Sequence, residues 1–373
     1  MGLPLKRRTL LAAGCAAAFL PPARAAATVR IGQVLPLTGP LASVVKPVAE
    51  GQKALLNAVN AQGGVNGAAI ELVTLDDTTR PDQTVDLTRN LLADTSVAAL
   101  FGYAFVPGLV KAIPLVDERR MPLIGVYNGA DILRGQDHPT LFTTTASLRD
   151  EIAAMVQNLA TLNMCKLAVA YQDNELGRFM LPHVQAVAEE RKAQVIATVP
   201  LKPDGSNAKE AAAAVNQADP QGILLLAAGA AVLGFMRART ADARVPVYAL
   251  SLAGTTSLVE QLGSAARGMA FTQIVPYPLR QTTPLSRHFG AAMQAAKLAP
   301  TYDRMWGYLN ASILVEVLRR TGGKPSPATM LAAVEKMSDV DIGGYRVNYG
   351  PQKRHGSSFV EITMVDGSGK FVR

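Results

Sequence analysis

The chain of 373 residues is 49% apolar, 18% charged and 5% aromatic, which excludes a disordered or fibrous protein and leaves length enough for two packed units rather than one core. Its formal charge of +8 falls to +4 once residues 1–25 are set aside, because they hold Lys6, Arg7, Arg8 and Arg24 and no acid. That balance is too mild to argue for nucleic acid as a partner.

Residues 1–25 read as an export signal: a basic start, an apolar run from Leu10 to Leu20, and small residues in A-x-A spacing at Ala23 and Ala25. The Arg7-Arg8 pair leaves the twin-arginine and the ordinary secretory routes both open. Cys15, in "LAAGC", offers a lipid anchor as a rival. Too few apolar residues separate it from Arg8 for a typical signal core of about 7 to 15, so cleavage after Ala25 or Ala27 is the favoured reading. The processed chain then keeps Cys165 alone and forms no internal disulfide. A periplasmic location is expected, and no later stretch approaches the roughly 18 consecutive apolar residues of a membrane span.

From Val29 on, short apolar or β-branched runs alternate with longer amphipathic ones. "VRIGQVL" and "AIELVTL" flank a helix predicted from about Leu41 to Ala61; "VAALFG", "MPLIGV", "KLAVAY", "AQVIATV", "GILLLAA" and "VPVYAL" follow, with helical spacing between most of them. Alternation of this kind predicts right-handed βαβ crossovers and mainly parallel sheets, so the fold class is α/β. In such sheets ligands sit beyond the carboxyl ends of the strands. The candidate loops are therefore "PLTGP", "GYAFVPG", "GVYNGAD", "YQDNELG", "AAGAA" and "LSLAGTT".

These residues resemble the periplasmic leucine/isoleucine/valine-binding protein family, the substrate-binding components of ABC importers. "VRIGQVLPLTGPLAS", "LLNAVNAQGGVNGAAIELVTLDDTTRPDQTV", "ALFGY", "MPLIGV", "YQDNELGR" and "GMAFTQIVPYP" carry the resemblance in order along the chain, and "NAQGGVNGAAIEL…DD" is the most specific piece. It implies two Rossmann-like lobes, the type I periplasmic-binding-protein fold, joined by three hinge crossovers and closing on a ligand. The lobes would be residues 28–146 plus 275–358, and 147–274 plus 359–373 with the tail strand "FVEITMVDGSGKFV". The partners implied are a small-molecule ligand and an ABC permease in the inner membrane. No cofactor is implied, and a monomer is expected from the carrier role.

In amino-acid binders of this family, hydroxyls and backbone N–H groups of the third- and fourth-strand turns hold the ligand carboxylate, and an acid of the second lobe holds its ammonium. Here the third-strand turn reads Phe105-Val106-Pro107-Gly108 in place of Ser or Thr, and the fourth offers Tyr127, Asn128 and Gly129. The second-lobe positions fall on Leu176, Ala228 and Ser251, so the acid is missing too. A buried ammonium without a carboxylate costs several kcal/mol, which favours a small carboxylate or amide with an apolar or aromatic body; branched-chain or other hydrophobic amino acids are the default if the loop positions shift by one or two residues. Tyr103, Phe105 and Tyr127 would line its walls, and Asn128, Gln172 and Ser251 would give directed hydrogen bonds. N–H groups near Val106 and the cation Arg149 would take an anionic end. Beside these stand plainer readings: Tyr103 and Tyr127 as core mass, Arg149 paired with Asp150 or Glu151, Asp76-Asp77 as a turn and cap.

Catalysis finds no support. His138, His183, His288 and His355 lack metal-site spacing, and "SVVK" at Ser43 to Lys46 matches S-x-x-K without S-D-N or K-T-G after it. No G-x-S-x-G elbow or phosphate loop is present. The main alternative is a ligand-sensing subunit for a signalling receptor, which would use the same cleft; an exported α/β enzyme is the remoter one.

Overall fold

The computed structural model describes residues 27–134, 138–239 and 244–373; the export signal and Cys15 lie outside the described residues. The first unit is built by β1 (Ala27–Leu35), α1 (Ala42–Ala61), β2 (Ala68–Asp76), α2 (Pro81–Ala93), β3 (Val97–Phe101), α3 (Val106–Glu118), β4 (Leu123–Ile124) and β5 (Leu141–Phe142). Its five strands lie in the order β2-β1-β3-β4-β5, every neighbouring pair parallel. The second unit runs through α4 (Leu148–Thr161), β6 (Lys166–Gln172), α5 (Glu175–Glu190), β7 (Gln194–Leu201), α6 (Ala208–Gln217), β8 (Gly222–Leu226), α7 (Gly229–Ala238), β9 (Val247–Ala249), α8 (Thr256–Leu262) and β10 (Ala270–Gln273). The chain then returns to the first unit as α9 (Pro284–Ala296), α10 (Tyr302–Arg320), α11 (Pro327–Glu335), β11 (Val340–Asp341) and β12 (Arg346–Val347), and ends in the second as β13 (Glu361–Val365) and β14 (Phe371–Val372).

The second sheet has the order β14-β13-β10-β9-β8-β6-β7, parallel from β10 to β7, with β13 and β14 antiparallel at one edge. The tail expected as one strand is thus a hairpin. The reason is local: the Asp366 carboxylate accepts the N–H groups of Ser368 and Lys370 (2.8 and 2.9 Å), and Gly369 takes the positive φ the turn requires. The chain crosses between the two sheets three times, after β5, after β10 and before β13.

Each parallel sheet is covered on both faces, which is why the central strands β3 (VAALF) and β8 (GILLL) are apolar and buried throughout rather than alternating, while the edge strands β2 and β7 keep partly exposed residues. In the first lobe, Ile31, Phe101 and Ile124 pack with Leu55, Phe289, Leu309 and Ile313 of α1, α9 and α10, while Val34 and Leu100 pack with Leu91, Leu109 and Ile113 of α2 and α3. In the second lobe, Val169 and Leu224 meet α4 and α5, and Ala168 and Leu225 meet α6, α7 and α8.

The α1–α10 contact is unusually close because glycines face backbone on both sides. A Cβ on Gly307 would lie 1.9 Å from the Val48 carbonyl oxygen, and one on Gly51 would lie 2.0 Å from that of Arg304. Neither helix can yield at one position without moving the other. Gly307→Ala is therefore expected to separate the helices and to lower stability by about 1–3 kcal/mol, the usual cost of overpacking. Equilibrium urea unfolding checks this; an unchanged midpoint would show that the helices part freely.

Candidate ligand cleft

The strand ends of the first sheet are fixed by side chains that bridge them. β1 and β2 run in register from Ala27↔Ala68 to Leu35↔Asp76, so the Asp76 carboxylate sits level with the turn after β1. It accepts from the Leu37 and Thr78 N–H groups and the Thr38 hydroxyl. Asp77, fully buried, accepts from the Thr84 hydroxyl and the Thr79 N–H. The pair is turn machinery rather than acid/base chemistry.

The third- and fourth-strand turns are neighbours, joined by the Tyr127 N–H donating to the Tyr103 carbonyl at 2.7 Å. Tyr103 does not face the cleft. Its ring is 1% exposed among Val34, Leu109 and Val126, and its hydroxyl is 3.0 Å from that of Thr88. Phe105 occupies the position before α3 and Val106 begins that helix, both half-buried, with Val106 packed on the same cluster. Asn128 accepts the Ala130 N–H (2.7 Å), and the buried Gly129 gives its carbonyl to the Leu148 N–H (3.1 Å) at the start of α4.

Tyr127 is the residue of these turns that the structure builds into a wall. It is half-buried, lies with its ring centroid 4.0 Å from that of Trp306, and donates its hydroxyl to Asp303 Oδ1 (3.2 Å). Leu37, Leu41, Val45 and Ala104 pack in the same cluster as Tyr127. Asp303 and Trp306 stand in the first turns of α10, whose start is set by Thr301 accepting the Arg304 N–H. Asn310, fully buried one turn further on, donates to the Gly125 carbonyl (2.7 Å) and accepts from the Thr144 hydroxyl. α10 is thereby tied to the end of β4 and to the first crossover. Burial pushes the Asp303 carboxyl up to about 6 against the opposing pull of the Tyr127 hydroxyl, and burial together with the Asp303 charge holds the Tyr127 phenol well above its ordinary range. The buried Trp306 Nε1 has no hydrogen-bond partner among the described residues.

In the second lobe the polar groups at the strand ends are bonded to one another. Gln172 accepts the Ala228 N–H (3.0 Å), tying β6 to the start of α7, where Ala228 is half-buried. Leu176, in the first turn of α5, is 38% exposed. An acid does reach Ser251, contrary to the expectation that this lobe has none there: Glu151 of α4 accepts the Ser251 N–H (2.7 Å), the Ser251 hydroxyl (2.9 Å) and the Thr272 hydroxyl. It is 1% exposed, and burial raises its carboxyl above the ordinary range. With its oxygens taken, it is an anchor for the loop after β9.

Arg149 pairs with neither neighbouring acid. Asp150 closes a capping box with Ser147, Glu151 is buried as described, and the exposed Arg149 guanidinium lies 3.2 Å from His183 Nε2. It lines a cavity of about 620 Å³ at the crossovers with Asp131, Arg134, Lys353 and His355, a lining that does not include Tyr127 or Trp306. The structure thus joins Tyr103 to Tyr127, Gln172 to Ala228 and Ser251 to Glu151, and sets Arg149 apart from the wall of Tyr127. Asp303 escaped the sequence reading, and from the sequence Trp306 reads only as core or rim of the first lobe, on the helical stretch "YDRMWGYLNASILVEVLRR". An acid two residues past a Thr cap and flanked by aromatics, "TYDRMW", was the available signal.

Two α/β lobes with helices on both faces, crossed three times by the chain and carrying their turns at the carboxyl ends of parallel strands, define a bilobal receptor for a small solute. The chain belongs to the periplasmic binding protein family, whose profile matches residues 28–370. It is 28% identical over 191 residues to Leu/Ile/Val-binding protein homolog 7 of Brucella melitensis, a match covering 48% of this chain and 47% of that protein, so it spans about half the length of this relative. Among solved structures, an extracellular ligand-binding receptor from Verminephrobacter eiseniae superposes with a TM-score of 0.83 at 27% identity, over 93% of this chain and 100% of that one. A substrate-binding periplasmic protein from Ralstonia solanacearum does so with a TM-score of 0.80 at 26% identity, over 92% and 99%. The family and fold are those of solute-binding proteins, and the family implies an extracytoplasmic location.

Trp306 is the single tryptophan of the chain, so its fluorescence reports this wall without ambiguity. Its emission is expected to titrate with a midpoint near the Asp303 value of about 6, and Asp303→Asn should abolish the transition. The linked stability has a definite sign. With the folded-state value raised above the ordinary 3.8, Asp303 favours the folded state when protonated; that contribution is complete below about pH 3.8 and lost as pH rises through 6. Urea midpoints should fall across this window more in the wild type than in Asp303→Asn; parallel profiles would contradict the assignment.

Proposed function

We propose that the chain is the extracytoplasmic solute-binding component of an ABC importer of the branched-chain amino acid type. It closes its lobes on a small ligand with an apolar or aromatic body and a carboxylate or amide end, and hands that ligand to a permease of the inner membrane. The observation that carries the ligand class is the state of Glu151. The second-lobe acid at Ser251 is 1% exposed and three of the about four acceptor sites of its carboxylate are taken by Ser251 and Thr272, so it is buried in the fold rather than presented to a ligand ammonium, and an ammonium left without a carboxylate costs several kcal/mol. The first lobe meanwhile presents Tyr127, Trp306 and Leu37 as apolar surface suited to a hydrocarbon or ring. Closure of two lobes around such a body gives a permease a shape that differs between the empty and loaded protein.

The test is a thermal-shift screen of the chain, stripped of co-purified ligand by unfolding and refolding, against aliphatic and aromatic carboxylates, their amides and the standard amino acids. A ligand at 100 times its Kd stabilises by about 2.7 kcal/mol, worth about 4 °C in a protein of this size. Carboxylates or amides are expected to give this shift, and Tyr127→Ala to lower affinity about tenfold through loss of its contact area. A response confined to zwitterionic amino acids would overturn the ligand class.

A further inference from the structure

The cavity at the crossovers has a composition that the cleft wall does not explain. Its walls come from both lobes: Asp131, Arg134 and Lys353 from the first, Arg149 from the start of the second, with His355 on the returning crossover. Arg134, Arg149 and Lys353 have no carboxylate within 4.0 Å among the described residues, since Asp150 is engaged by Ser147 and Arg346 is paired with Asp339 through two bonds of 2.7 and 2.8 Å. Arg134 is held rigidly: its Nη2 donates to the Thr145 and Ala146 carbonyls (2.7 and 3.2 Å), while its buried Nε has no hydrogen-bond partner among the described residues. Two acids line the same cavity, Asp131 and Asp150; Asp150 is engaged by Ser147, and one oxygen of Asp131 is buried without a hydrogen-bond partner among the described residues.

We propose that this cavity binds a small inorganic oxyanion of the phosphate or sulfate type, separately from the solute in the cleft. Cations fixed on opposite lobes repel one another across the gap, and an oxyanion between them replaces that repulsion with charge-assisted hydrogen bonds to two guanidinium groups and an ammonium. Arg134 is pre-positioned by crossover carbonyls, so little freedom is lost when its remaining N–H groups engage the anion. Because Arg149 belongs to one lobe and Arg134 and Lys353 to the other, the bound anion also bridges the lobes beside the crossovers.

Isothermal titration of the chain with sodium phosphate, at constant ionic strength set by chloride, reads this directly and needs no knowledge of the cleft ligand. Saturable binding at one site per chain is expected. The exposed Lys353→Ala variant, which leaves the buried groups in place, should bind about tenfold more weakly, the worth of one charge-assisted contact. Arg134→Gln should weaken binding further, and its folding is checked by urea unfolding. Tyr127→Ala, on the cleft wall, should bind phosphate as the wild type does. Absence of saturable binding in the wild type, or wild-type affinity in both Lys353→Ala and Arg149→Ala, would overturn the proposal; loss in Tyr127→Ala would also overturn it, by placing the anion in the cleft.

Discussion

The geometry of the cleft depends on the buried amide of Asn310. It sits in α10 with no exposed surface, where an unpaired amide would cost about 1–3 kcal/mol. It is paired at both ends, with the Gly125 carbonyl and the Thr144 hydroxyl, so three segments distant in sequence meet at one side chain. Gly125 takes a positive φ of 73° at that point, and a Cβ there would press on the Phe101 ring at 3.0 Å, so the turn carrying Tyr127 is set by backbone and packing together. The hydroxyls of Tyr345 and Tyr349 donate to the Thr144 and Thr143 carbonyls and hold the same crossover from its other side. The glycine contact between α1 and α10 then fixes the depth of the helix, and with it the place of Asp303 and Trp306.

Polar groups are distributed unequally between the lobes. In the second, Glu151 and Gln172 serve the fold: one fixes the loop after β9, the other the start of α7. In the first, Asp303 accepts a bond from Tyr127 but remains half-buried, and its raised proton affinity places a change of charge at the cleft wall near pH 6. Under the proposed function, recognition of a ligand body falls to the aromatic pair of the first lobe, while the second contributes shape and the backbone of its helix starts.

Much of the fold was legible because parallel sheets covered on both faces demand continuous apolar strands, and "VAALF" and "GILLL" have no other comfortable place. The order of those strands along the chain, and the family resemblance they carried, located the turns. Side-chain direction was not legible. Tyr103 and Tyr127 both follow strands beside glycines, yet one enters the core to meet Thr88 of the preceding α2 and the other meets Asp303 of α10, a helix that arrives much later in the chain. Glu151 and Ser251 are a hundred residues apart and no spacing links them. Arg149 drew attention as the cation nearest the crossover; that it would share a cavity with Arg134 and Lys353 follows from how the crossovers pack, a property of the tertiary structure alone.

The most direct measurement of the central claim is mass spectrometry of what the natively purified protein releases on unfolding. A small molecule in stoichiometric amount, bearing a carboxylate or amide on an apolar or aromatic body and lost from protein carrying Tyr127→Ala, is the result predicted. A stoichiometric α-amino acid, or the same molecule retained by the Tyr127→Ala protein, would contradict the account of this cleft.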